Sequence, residues 1–164
     1  MILDNFYTLS GAVSAAGVLS GQSVTGTNTS VLSTNSVDLG PLLLGGNQPG
    51  DIGAGEPLDI MFSILAAPTV GTSVQFQLIQ ADDTVLSTNV QVINQTDAFP
   101  IASLPINTLV PLHWDRAAPY APKRYIGARY VLVGAIASTS IFASLGKHPQ
   151  DVKNLFFKSG YAVL

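Results

Sequence analysis

The stretch Pro57-Leu-Asp-Ile-Met-Phe-Ser-Ile-Leu65 decides the fold class of this 164-residue chain. Every second residue from Leu58 to Ile64 is large and apolar, and Asp59 and Ser63 lie between them. A two-residue alternation is the period of a β-strand that buries one face and leaves the other polar. The stretch therefore predicts a strand that packs on a hydrophobic core.

Several other segments carry the same signal. Residues 69–80 alternate Val74, Phe76 and Leu78 with polar side chains, and Pro68 and Gly71 before them predict a hairpin or another short connection. Residues 81–84 contain two consecutive aspartates, which predicts a turn. No segment shows the apolar stripe of a helix. Further candidate strands are residues 85–93, 125–133 and 136–145.

Composition supports an all-β chain. Hydrophobic residues make up 47% of the sequence and charged residues only 10%, and Glu56 is its single glutamate. Long charged side chains that stabilise exposed helices are scarce, while Thr, Ser, Val, Gly and Pro favour strands and turns. The chain has no cysteine, so a core rather than disulfides must stabilise it. We predict a jelly-roll-like β-sandwich.

The two ends of the chain differ from its centre. We predict one domain over residues 1–164: an extended arm and first strand approach in 1–36, the sandwich core in 37–147, and a C-terminal tail in 148–164. Residues 10–36 are small and polar without a sustained period, which suits a loosely held arm. The tail is apolar and is expected to dock on its own core or on a neighbour. Residues 98–122 hold five prolines and predict a surface crossover.

Charge is divided unevenly along the chain. All seven Lys and Arg residues follow His113, whereas eight of the ten Asp and Glu residues precede it. This division produces complementary surfaces between copies, unless folding interleaves the two parts and cancels it. The sequence pI of about 5.0 disfavours nucleic acid as a partner. Residues 1–21 lack the features of a signal or an anchor, so no membrane partner is expected.

No catalytic, metal or cofactor motif stands out. His113 and His148 are the only histidines, and neither belongs to an H-x-H or H-E-x-x-H motif. Asp51, Glu56 and Asp59 do not match the spacing of a calcium loop and are interpreted as a turn. We therefore expect no enzyme activity and no cofactor.

A contact surface is the more promising functional feature. His113-Trp114-Asp115-Arg116 and the Tyr- and Arg-rich residues 120–130 carry side chains that are enriched at protein interfaces. The alternatives are a structural corner for the first segment and a strand with solvated basic residues for the second. The candidate interface residues are Phe6, Tyr7, His113, Trp114, Arg116, Tyr120, Lys123, Arg124, Tyr125, Arg129 and Tyr130.

Four short motifs occur in a recognisable order: Met1-Ile-Leu-Asp4 followed by an aromatic residue and Ser10, then Ser33-Thr-Asn-Ser-Val-Asp-Leu-Gly40, Asp51-Ile-Gly-Ala-Gly-Glu-Pro-Leu58 and Lys123-Arg-Tyr-Ile126. In this respect the chain resembles the capsid cement (decoration) proteins of the Bordetella phage type. The resemblance implies a jelly-roll virion protein on the outer surface of the capsid that associates with itself, as a dimer or trimer, and stabilises the lattice of the major capsid protein. Two alternatives remain open. The first is a carbohydrate- or receptor-binding jelly roll on the virion, and the second is an enzyme.

Overall fold

The computed structural model describes residues 7–40, 58–114 and 123–146, and every structural statement below concerns those residues. They form β-strands together with a 3-10 turn at Ile101–Ser103. The strands are β1 (Thr8–Ser10), β2 (Ala12–Val13), β3 (Leu19–Ser20), β4 (Gln22–Ser23), β5 (Gly26–Thr27), β6 (Ser30–Leu32), β7 (Val37–Asp38), β8 (Leu58–Ala66), β9 (Ser73–Ala81), β10 (Gln91–Gln95), β11 (Phe99–Pro100), β12 (Leu109–Trp114), β13 (Tyr125–Val133), β14 (Ala135–Ile136) and β15 (Ser140–Gly146).

Two antiparallel sheets face each other. The first has the order β1-β15-β8-β12, and β4 also pairs with β15. The second has the order β10-β9-β13-β6, with β11 on β9 and β7 on β13. The eight strands in these two orders can be numbered one to eight along the chain. The first sheet then has the order 1-8-3-6, and the second sheet, read from β6 to β10, has the order 2-7-4-5. This is the strand order of a jelly roll, and it confirms the predicted all-β sandwich.

Aromatic rings from both sheets meet in the core. Phe62 of β8 lies 4.9 Å from Phe76 of β9 and 5.8 Å from Tyr130 of β13, measured between ring centroids. The buried Tyr130 hydroxyl donates a hydrogen bond to Ser10 Oγ at 2.6 Å, so its one polar atom is satisfied. Burial raises the pKa of Tyr130 above its ordinary value. Four strands of the jelly roll, β1, β8, β9 and β13, are thus joined in the apolar interior.

The long predicted strands agree with the structure. Residues 57–65 correspond to β8, residues 69–80 to β9, and residues 125–133 to β13 with the same bounds. The connection between β8 and β9 is short, but it crosses from one sheet to the other and is not a hairpin. Residues 136–145 are divided between β14 and β15.

Two central predictions need correction. Only residues 91–93 of the candidate strand 85–93 lie in a strand, as the first part of β10, because Leu86 and Asn89 have positive φ angles and belong to a loop. The proline-rich crossover predicted over residues 98–122 contains an edge strand, β12, with Pro111 inside it. Proline is tolerated there because one side of an edge strand lacks a hydrogen-bonded neighbour.

The N-terminal residues are part of the sandwich. Strands β1 to β7 lie within residues 8–38, and four of them pair with the two main sheets: β1 and β4 with β15 of the first, and β6 and β7 with β13 of the second. Strands β2 and β3 pair with each other, and β5 pairs with β14. Leu9 and Val24 are completely buried. The Gln22 side chain fixes this region further: its Nε2 donates to the Leu32 carbonyl at 2.7 Å, and its Oε1 accepts from the Thr34 amide at 2.9 Å. The interpretation of residues 10–36 as a loosely held arm therefore needs correction where β4 and β6 pair with the main sheets, whereas β2 and β3 form a hairpin that pairs only with itself. The predicted tail, residues 148–164, lies outside the described residues.

A second, smaller apolar cluster covers the outer face of the second sheet. Ile79, Ala81 and Tyr125 point away from the main core, and Leu86 from the loop at residues 82–90 packs on them. A Cβ atom on Gly127 would lie 2.1 Å from a methyl carbon of Leu86, so glycine lets the loop approach the sheet closely. The described residues include no helix long and apolar enough to span a bilayer.

Candidate functional site

Three aromatic residues of the predicted interface are buried within the chain. Tyr130 is 0% exposed and belongs to the core, while Trp114 and Tyr125 are buried at the ends of their strands. Because a completely buried side chain offers no surface to a partner, the structure corrects the interface assignment of Tyr130. Tyr7 is exposed. Phe6, Arg116 and Tyr120 lie outside the described residues and stay predictions.

Two predicted basic residues are held in ion pairs within the chain. Arg124 forms a two-pronged contact with Asp38, through Nε at 2.8 Å and Nη2 at 2.9 Å. Lys123 Nζ lies 3.1 Å from both carboxylate oxygens of Asp82. Each pair joins a carboxylate from the acidic part of the chain to a cation from the basic part. Folding therefore cancels this portion of the charge asymmetry. It does so in the way the sequence analysis gave as the alternative, by interleaving the acidic and basic parts of the chain.

The environment of each carboxylate lowers its pKa. The pKa of Asp38 lies below its usual range because Arg124 donates to it, and the pKa of Asp82 is lowered by hydrogen bonds from Asn89 and Lys123. Arg124 also lies over the Tyr125 ring, 5.1 Å from its centroid. These contacts orient Arg124 along its own surface, so it has little freedom to engage a partner.

His113 pairs with a buried carboxylate. Its Nδ1 lies 2.8 Å from Asp59 Oδ1, with the His113 side chain 55% exposed and the Asp59 side chain 4% exposed. The two residues are opposite each other in the β8–β12 register. On the other side, Asn94 Nδ2 donates to the His113 carbonyl at 2.7 Å. These bonds tie the edge strand β12 to both sheets and keep the exposed imidazole ring in place.

Arg129 has a different setting. It lies on the outer face of the second sheet, half-buried, and its Nε donates to Gln77 Oε1. Gln77 Nε2 in turn donates to Gln95 Oε1 at 2.8 Å, so a hydrogen-bonded row crosses β10, β9 and β13. Next to Arg129 is a shallow, open depression. Its lining residues are Asn28, Thr29, Ser30, Arg129, Val131, Leu132 and Val133.

Gln77 is the part of this site that sequence analysis missed. It was noted only as a polar residue that alternates with Phe76 and Leu78, yet it is buried and holds the guanidinium. Its position on the polar face of a strand was visible in the sequence, but its pairing with Arg129 depends on the β9–β13 register. Among the described residues, no group of three or more His, Cys, Asp or Glu side chains is arranged to hold a metal ion.

Comparison with known proteins identifies the family. No curated protein matches this chain. The Bbp16 family model matches residues 18–145, a span that begins just before β3 and ends in β15. The match covers most of the chain and takes in every strand of the two main sheets except β1, and it agrees with the resemblance carried by the short motifs. The chain therefore belongs to the Bbp16 family, a family of Bordetella phage proteins.

Proposed function

We propose that this chain is a structural virion protein, a cement that binds the outside of the assembled phage head and stabilises the lattice of the major capsid protein. The observation that carries the proposal is that a phage-family chain folds as a jelly roll whose core is built by one chain. A module with its own core can be added to a finished shell, because its stability does not depend on the shell.

The physical basis of cementing is linkage. A protein that binds the assembled lattice and not the free subunits shifts the equilibrium toward assembly. The binding free energy at each site can be small, since a head offers many equivalent sites. The ion pairs of Lys123 and Arg124 are satisfied within the chain, which supports a partner surface elsewhere on the sandwich.

In this proposal the protein has no catalytic role and needs no cofactor. Its partners are the major capsid protein and further copies of itself, in a dimer or trimer. The small apolar side chains Val70, Ile106 and Val133 are exposed and offer modest contact area for such assembly. The protein occupies the outer surface of the capsid, where neither nucleic acid nor membrane is a partner.

The test uses phage heads that lack the protein. Purified protein is mixed with these heads, and bound protein is measured by cosedimentation against unassembled major capsid protein as the control. We expect saturable, stoichiometric binding to heads, together with a higher temperature of DNA release and greater resistance to osmotic shock. No binding, or binding without any gain in head stability, would reject the cement function. Tight saturable binding to host glycans instead would favour the receptor-binding alternative.

A further inference from the structure

We infer that Arg129 binds an aspartate or glutamate side chain of the major capsid protein; this inference deepens the proposed function and rests on it. The site consists of the Arg129 guanidinium and the shallow depression beside it. The proposed function does not say which chemical groups bind the capsid protein, and this inference specifies one such contact. Three observations support it: Arg129 contacts no carboxylate of the described residues, its side chain is held in one orientation, and it is half-buried.

Arg129 differs from the other cations in its lack of a counter-charge. Lys123 contacts Asp82 and Arg124 contacts Asp38, whereas within the described residues Arg129 contacts no carboxylate. Its Nε is used by Gln77, and its two terminal nitrogens remain as donors. A guanidinium whose terminal edge is open can bind a carboxylate through two parallel hydrogen bonds.

Gln77 holds Arg129 in one orientation. The Gln77 amide is buried, and its Nε2 contacts Gln95 Oε1 at 2.8 Å and Gln75 Oε1 at 3.4 Å. Since the Arg129 Nε–H can only donate, the Gln77 amide oxygen must face it, and the amide nitrogen is then directed toward Gln95 and Gln75. The side chain is therefore ordered before a ligand arrives, which lowers the entropy cost of binding.

The surroundings favour a carboxylate over water. The depression is lined by the polar residues Asn28 and Ser30 and by the apolar residues Val131 and Val133, and no acidic residue is among its described lining residues. A half-buried cation has lost part of its hydration, so an incoming negative charge interacts with it more strongly than at a fully exposed site. The amide and hydroxyl groups nearby can donate to the same carboxylate.

The inference is tested with three variants of the full chain in the head-binding assay. Arg129→Gln removes the charge, Arg129→Lys keeps the charge without the planar fork, and Arg124→Gln removes a paired cation as the matched control. We expect the Kd for heads to rise about tenfold or more for Arg129→Gln, to rise less for Arg129→Lys, and to change by less than about threefold for Arg124→Gln. The salt dependence of binding should become shallower for Arg129→Gln, which removes the charge at this contact, and should stay close to that of wild type for Arg129→Lys and Arg124→Gln. Circular dichroism and thermal unfolding check that each variant is folded.

A second measurement does not depend on heads. The arginine side-chain NMR signals of the wild-type protein are followed during titration with hexaglutamate. We expect saturable chemical-shift changes for Arg129 and small ones for Arg124, because Arg124 already pairs with Asp38.

The outcomes separate the two proposals. Wild-type protein that fails to bind heads, while Arg129 still responds to hexaglutamate, would reject the cement function and keep the carboxylate site. Equal head binding by wild type and Arg129→Gln would overturn the inference and leave the cement function standing. The inference is also overturned if Arg129→Gln lowers self-association and not head affinity, since the carboxylate would then belong to a second copy of this chain.

Discussion

The sandwich has two apolar clusters that lie on opposite faces of its second sheet and are built in different ways. The inner cluster joins both sheets around Phe62, Phe76 and Tyr130. The outer cluster is smaller and is closed by a loop, whose Leu86 packs on Ile79 and Tyr125. The inner cluster is held by long paired strands, whereas the outer one depends on how a nine-residue loop, residues 82–90, returns to the sheet.

This difference shows where each cluster gets its stability. Inner residues come from regular extended backbone, so their packing requires no unusual conformation. Leu86 has a φ of 58°, in the left-handed region that a leucine rarely adopts. Burial of its side chain and the hydrogen bonds that Asp83 accepts from Ser87 and Thr88 offset this strain. The outer cluster should therefore be the less stable of the two, and it should depend on the conformation of the loop at residues 82–90.

Truncation of the inner cluster should have the largest effect. We expect Phe76→Ala to lower the free energy of unfolding by about 3–5 kcal/mol, because it removes a completely buried ring in contact with three other aromatic rings and leaves a cavity. Urea-induced unfolding followed by fluorescence and circular dichroism measures the change. A loss below about 1 kcal/mol would contradict this arrangement of the core.

Truncation of the outer cluster should cost less. Leu86→Ala is expected to lower the free energy of unfolding by about 2–3 kcal/mol, since it empties the contact over Gly127 and keeps the strained backbone. The neighbouring Val85 is 67% exposed, so Val85→Ala is the matched control and should change stability by less than about 0.5 kcal/mol. Equal effects of the two variants would mean that the loop does not close an apolar cluster.

The contrast also explains which parts of the fold could be predicted. Strands β8, β9 and β13 run for nine residues each, long enough for a two-residue alternation to be recognised, and all three were predicted. Strands β1 to β7 have two or three residues each, too few to show any period. The same stretch of small polar residues therefore suggested a loose arm. Pairing with β13 and β15 holds β1, β4, β6 and β7 in extended form, and none of these pairings is visible in the sequence.

Prediction of the site met a similar limit. Arg124 and Arg129 look equivalent in the sequence, and both were assigned to the interface. Their difference arises because Arg124 meets Asp38, which is 86 residues away along the chain, while Arg129 meets Gln77. Neither contact can be predicted without the strand register. The sequence therefore identifies the basic stretch, but it does not show which cation is available to a partner.

The buried hydroxyl pair inside the inner cluster should have an intermediate effect. Ser10→Ala leaves the Tyr130 hydroxyl buried without its partner, and we expect a loss of about 1–2 kcal/mol in the free energy of unfolding. The double variant Ser10→Ala with Tyr130→Phe removes both polar groups and should recover part of that loss. A strictly additive double variant would show that the two hydroxyl groups do not interact.

The smallest effect should come from acid acting on the loop that closes the outer cluster. The pKa of Asp83 is lowered from 3.8, chiefly by the hydrogen bond from the Thr88 amide and then by the Ser87 hydroxyl. Because the folded-state pKa is depressed, this contribution to stability is fully present above the unfolded pKa and is lost as pH falls through the folded pKa. Unfolding midpoints measured between pH 7 and about pH 2.5 should therefore fall at the acid end, with a weaker fall in Asp83→Asn than in wild type. The matched control is Asp97→Asn, which removes an exposed carboxylate outside this loop. An acid dependence unchanged by Asp83→Asn would mean that this carboxylate does not hold the loop over the sheet, and that burial of Leu86 alone outweighs its backbone strain.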